Sequence, residues 1–131
     1  MQIKLTSVMV DDQEKALKFY TEVLGFIKKR DIPVGKHKYL TVVSPDGPQE
    51  IELLLESNNN EAAKVFQKAI FEQKIPLTAF FVDNLAQEHA RMKDLGVNFV
   101  MEPTTMFWGS MAIFDDTCGN LIQLNQVDIE V

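Results

Sequence analysis

Apolar positions recur with two different periods along this chain, and the switches between them mark out its elements. Residues 3–10 read as a strand, after which Ala16, Leu17, Tyr20, Val23 and Leu24 recur at helical spacing, with Phe19 flanking the stripe. Asp11 or Asp12 stands where an N-cap is needed, since a side-chain carboxylate there accepts the free N–H groups of the first turn. Gly25 follows where a helix closes through a left-handed residue. Three apolar runs come next, at 26–32, 39–43 and 50–56, separated by Pro33-Val34-Gly35 and by Ser44-Pro45-Asp46-Gly47-Pro48, both strong turn sequences. The first part of the chain is therefore predicted to be β-α-β-β-β.

The polar run Ser57-Asn58-Asn59-Asn60 breaks the pattern, and residues 61–74 then read as an added helix with Ala62, Val65, Phe66, Ala69, Ile70 and Gln73 near one stripe, ended by Pro76. Beyond it the plan repeats. A strand at 77–82 leads to a cap at Asp83 or Asn84, a helix at 85–95, Gly96 and a strand at 97–101. A loop at 102–110 carrying Met106, Phe107 and Trp108 then precedes strands at 111–114 and 121–127. Val10-Asp11-Asp12 is matched by Val82-Asp83-Asn84, and Leu24-Gly25 by Leu95-Gly96. Self-similarity of this kind implies a duplicated supersecondary unit. The expected fold class is α+β, one domain over residues 1–131, with module one at about 1–57, a linker helix at about 61–74 and module two at about 77–128.

Composition narrows the function classes. A chain of 131 residues that is 46% apolar can bury one core. The net charge of −6, with basic residues clustered only at Lys28-Lys29-Arg30 and Lys36-His37-Lys38, argues against nucleic acid and anionic membranes as partners. It leaves room for a cationic ligand. The single Cys118 cannot make an internal disulfide, Met1-Gln2-Ile3-Lys4 lacks a signal-peptide core, and no apolar run approaches the roughly 20 residues of a membrane span, so a cytoplasmic setting is expected. No phosphate-binding glycine loop and no Ser or Cys nucleophile signature is present, and Cys118 has no His or Lys as a near sequence neighbour.

Taken in order, Val10-Asp11-Asp12, Ala16-Leu17, Phe19-Tyr20, Leu24-Gly25-Phe26, the partial repeat Val82-Asp83-Asn84 with Leu95-Gly96-Val97, and the closing Asp115-Asp116 with Gly119-Asn120-Leu121-Ile122-Gln123-Leu124 resemble the vicinal oxygen chelate superfamily. This is the glyoxalase, bleomycin-resistance and extradiol-dioxygenase group. The resemblance implies two β-α-β-β-β modules whose sheets curl round a cleft, commonly in a homodimer. It also implies a divalent metal held by first-strand and last-strand side chains of each module. Carried over by position, the last-strand sites fall on Glu52 and Gln123, and the first-strand sites near Leu5 and Leu77, which cannot ligate a metal. The two histidines, His37 at the entrance to a strand and His89 on the second module's helix, lie elsewhere.

The expectation is thus a small-molecule-binding, homodimeric member of this group, with no metal and no cofactor, which sequesters a cationic or aromatic compound. A metal-dependent lyase, isomerase or dioxygenase is the alternative. Glu52 and Gln123 are candidate ligand-binding residues, and Glu52 is also a candidate general base, because a carboxylate in an apolar cleft tends to a raised pKa. Against that stands a solvated sheet face bearing Glu50, Glu52 and Glu56. Phe107 and Trp108 are candidate ligand contacts by stacking; a dimer contact or a plug in the cleft would use the same aromatics.

Overall fold

A computed structural model describes residues 1–129. The fold is α+β, with two four-stranded sheets and three α-helices among the described residues. Strands β1 (Leu5–Val10), β2 (Ile27–Val34), β3 (His37–Val43) and β4 (Glu52–Ser57) form one sheet in the order β1-β4-β3-β2. Strands β5 (Thr78–Phe81), β6 (Phe99–Met106), β7 (Gly109–Asp115) and β8 (Leu121–Val127) repeat that order as β5-β8-β7-β6. In each sheet the first strand pairs in parallel with the last, and every other pairing is antiparallel.

The chain divides into two compact units. The first comprises Met1–Gln67 together with Thr117–Gly119, and the second comprises Lys68–Asp116 and the residues from Asn120 onward.

In the first unit, helix α1 (Gln13–Lys18) is capped by Asp12, whose Oδ1 accepts from the Lys15 N–H at 3.1 Å. Gln13 fastens the helix to the sheet: its Nε2 donates to the carbonyls of Lys38 and Leu55 at 2.8 Å, and its Oε1 accepts from the Lys38 N–H. The expected single helix to Leu24 is instead α-helical only to Lys18 and continues as a π-helical turn over Phe19–Val23. The wider turn accompanies the burial of Phe19 and Tyr20 side by side, with Tyr20 stacked on Phe26 at a centroid distance of 6.3 Å. Val8, Val10, Leu40, Val42 and Leu55 are buried on the sheet face that meets this helix.

Helix α2 (Glu61–Glu72) corrects the expected apolar stripe. Val65 and Phe66 are exposed, whereas Gln67 is buried. The Gln67 amide donates to the Met9 carbonyl at 2.8 Å and to the Cys118 carbonyl at 3.4 Å, and it accepts from Asn58 Nδ2 at 2.8 Å. Two backbone carbonyls inside the unit need a donor, which an apolar side chain cannot supply.

In the second unit, helix α3 (Leu85–Asp94) is capped by Asn84 and buries Leu85 and Met92, while Ala112, Phe114, Ile122 and Leu124 fill the sheet's apolar face. Here the expected loop at 102–110 is corrected. Strand β6 runs on to Met106, and only Phe107 and Trp108 turn before β7 starts at Gly109. The same happens at Pro33, expected to end a strand but lying inside β2. Both prolines, Pro33 and Pro103, sit on strands at the edge of their sheets, where a missing N–H costs no ladder bond.

Candidate functional site

Strand β4 alternates as its sequence demands. Leu53 and Leu55 take the side that meets the helix, so Glu52 and Leu54 point to the other face. Register fixes their neighbours there: Leu5 lies opposite Glu52, Ser7 opposite Leu54, Thr41 opposite Leu54, and Arg30 opposite Thr41. A bulge between Lys28 and Arg30 inserts one extra residue, and this is what brings Arg30 rather than Lys29 level with Thr41.

Glu52 is consequently engaged. Thr41 Oγ1 donates to its Oε1 at 2.7 Å, and Arg30 Nε donates to the same oxygen at 2.9 Å. Lys29 Nζ stands 3.8 Å from Oε2 and also donates to the Gln49 carbonyl at 2.8 Å. The Thr41 hydroxyl above all, with Arg30 and Lys29, holds the Glu52 carboxyl below its ordinary range against the opposing pull of burial. A raised pKa, expected for a carboxylate in an apolar cleft, is therefore corrected. The reason is that two donors converge on one oxygen.

Gln123 lies on β8 between Ile122 and Leu124, opposite Ile113 and Ala79. Its first-strand neighbour is thus Ala79, two residues on from the expected Leu77. Its Nε2 donates to Asn125 Oδ1 at 2.9 Å, forming a polar pair on the face away from α3. Phe107 and Trp108 are not brought to it. They turn the β6–β7 hairpin beside Gly109, which pairs with Val127, whereas Gln123 faces Ile113 further along the strand. Phe107 is 85% exposed, and the Trp108 carbonyl accepts from the Asp128 N–H at 2.9 Å. Glu52 belongs to the first unit and the other three candidates to the second.

The histidines are committed elsewhere. His89 Nε2 meets Glu102, with its ring edge-on to Phe99 at 4.6 Å, and His37 Nε2 lies 3.4 Å from Asn59 Nδ2. His37 lines a cavity of about 590 Å³ in the first unit together with Asp11, Asp12, Lys36, Asn58 and Lys64; Glu52 takes no part in it. Among the described residues no three His, Cys, Asp or Glu side chains are grouped so as to share a metal ion. A carboxylate facing leucine and an amide facing alanine do not fit the divalent metal of the resemblance.

Sequence reasoning missed Arg30 and Thr41. Thr41 left a signal, as the one hydroxyl in the otherwise apolar run Leu40-Thr41-Val42-Val43. Arg30 left none, because its alignment depends on the bulge.

The chain belongs to the Glyoxalase/Bleomycin resistance protein/Dioxygenase superfamily, whose family model matches residues 2–124. It is 53% identical over 126 residues to the protein YurT of Bacillus subtilis (strain 168), covering 96% of this chain and 99% of that one. The fold is also similar to the crystal structure of UcmS2, with a TM-score of 0.82, 32% identity and coverage of 95% and 97%. A further solved relative is TnmS3, an antibiotic binding protein from Streptomyces sp. CB03234, at a TM-score of 0.74, 32% identity and coverage of 98% and 97%.

Proposed function

We propose that this protein binds and sequesters a small aromatic or largely apolar molecule, without a resident metal and without turning it over. The observation that carries the reading is the state of Glu52. At the position where the resemblance puts a last-strand metal ligand, its Oε1 accepts from Thr41 and Arg30, and leucine stands across the strand. A carboxylate with a depressed pKa, held by two donors, is a weak general base near neutrality, so binding is favoured over catalysis. The antibiotic-binding relative TnmS3 supports a ligand of drug-like chemistry. The reading carries with it one domain built of the two modules and the α2 linker, a homodimer, and a cytoplasmic setting.

Elemental analysis of protein purified without chelator or affinity metal tests this. The expected result is far less than one divalent metal per chain, with no gain after soaking in zinc, nickel, manganese or iron(II). Stoichiometric metal would instead favour a metal-dependent lyase, isomerase or dioxygenase.

A further inference from the structure

We propose that the ligand face of the first unit is selective for an acidic group, with Arg30 as the residue that binds it and Glu52 as the residue that positions Arg30. This rests on the small-molecule reading above and names the ligand class: an aromatic or aliphatic body carrying a carboxylate or phenolate.

The argument starts from charge. Around Glu52, Lys29 and Arg30 bring two positive charges to one carboxylate; Glu56, also on this face, lies four residues further along β4, about 13 Å away at the rise of a strand. Glu52 therefore offers a cationic ligand no open carboxylate: its Oε1 already accepts two hydrogen bonds, and Lys29 stands by its Oε2. Within this cluster one positive charge is left over. Asp31, the next acid along β2, lies opposite Leu40, so it points to the other face, where it pairs with Lys38 at 3.6 Å.

Geometry then selects arginine over lysine. Glu52 engages Arg30 through Nε at 2.9 Å, and the guanidinium plane carries further N–H donors on its two terminal nitrogens. The Arg30 side chain keeps 46% of its surface exposed. Held at one edge by a carboxylate that Thr41 in turn fixes, the plane loses rotamer freedom before any ligand arrives. A paired oxygen acceptor such as a carboxylate matches the remaining fork. Around it Leu5 is exposed and Leu54 half-buried, and these two supply apolar surface on the same face. An apolar body with an acidic head fits such a surface, whereas an ammonium group would meet the surplus positive charge of the Lys29–Arg30–Glu52 cluster.

Three probes that share a ring system and differ in charge decide the matter: 2-naphthoate, 2-naphthalenemethanol and 2-naphthylmethylammonium, titrated calorimetrically at low and at physiological salt. The expected order is carboxylate first, about tenfold or more tighter than the alcohol, with the ammonium weakest, since a charge-assisted pair is stronger than a neutral one. Arg30→Gln is expected to bring the carboxylate-to-alcohol ratio close to one. Arg30→Lys should retain part of the preference, because it keeps the charge and loses the fork. Glu52→Gln should lower carboxylate affinity several-fold although it removes a negative charge, a sign opposite to simple electrostatics and diagnostic of positioning. A circular-dichroism melt of each variant reports whether it folds as the parent does. Equal affinities, or preference for the ammonium, would overturn the selectivity proposed here and leave the binding reading standing. No saturable binding of any probe up to millimolar concentration would overturn the binding reading and this inference with it.

Discussion

At the scale of single residues, the Thr41–Glu52 hydrogen bond is the contact that orders the Glu52 face of the first unit. Thr41 is fully buried, and its hydroxyl points at a carboxylate with little exposure of its own. Replacing it with valine keeps the shape and removes the donor, which is expected to cost about 1–2 kcal/mol in denaturant unfolding at neutral pH. The effect has a pH signature. A carboxyl whose folded pKa lies below its unfolded value contributes stability above the unfolded value, near 4.5. That contribution is lost as the pH falls through the folded value. Thr41→Val raises the folded pKa back towards the unfolded one, so the gap between parent and variant should narrow on acidification below about pH 4.5. A gap that stays constant from pH 7 to pH 3 would mean that the hydroxyl acts only by packing. Of this site the sequence showed Glu52 by its place in an alternating strand, and Thr41 as a polar intruder among apolar neighbours. Arg30 was hidden, because a strand's face assignment slips by one at each bulge and nothing local announces the extra residue.

At the scale of elements, strand boundaries were legible where turn residues coincide with true turns, and misleading where proline lies in an edge strand. Strand β8 was bounded correctly at both ends, and the caps Asp12 and Asn84 each fall on one of the two residues expected. Strands β2 and β6 run through Pro33 and Pro103, and register shifts around residues 101–104 absorb the second. The hairpin that results is tight. Gly109 has φ +153°, and a Cβ there would stand 2.0 Å from the Gln126 carbonyl oxygen and 3.1 Å from the Asp128 nitrogen. Both obstacles are backbone, so neither can swing aside. Gly109→Ala is therefore expected to destabilise the protein by about 3 kcal/mol or more, measured as a shift of the urea midpoint at unchanged slope. A variant with parental stability would show that the hairpin can re-register. Helix α2 was misjudged for a different reason: a helical stripe predicts burial only where a partner needs apolar surface, and here the inward position serves two carbonyls through Gln67.

At the scale of the whole molecule, the duplication was readable from two short motifs, and the two sheets carry it through in identical strand order. Strict periodicity did not extend to the site. Glu52 lies opposite Leu5, whereas Gln123 lies opposite Ala79 rather than the expected Leu77. The first unit is also discontinuous, since Thr117–Gly119 belongs to it although the rest of its residues end at Gln67. The Cys118 carbonyl accepts from the Asp11 N–H at 3.2 Å and from Gln67, and a Cβ on Gly119 would come within 2.8 Å of the Gln67 amide. A fragment ending at Gln67 is accordingly expected to lack a cooperative thermal transition; a sharp one would show that the three distant residues are dispensable. In the cell this dependence becomes a matter of timing. Gln67 is synthesised 51 residues before the carbonyl it holds, so the first unit gains this hydrogen bond only after Cys118 has left the ribosome.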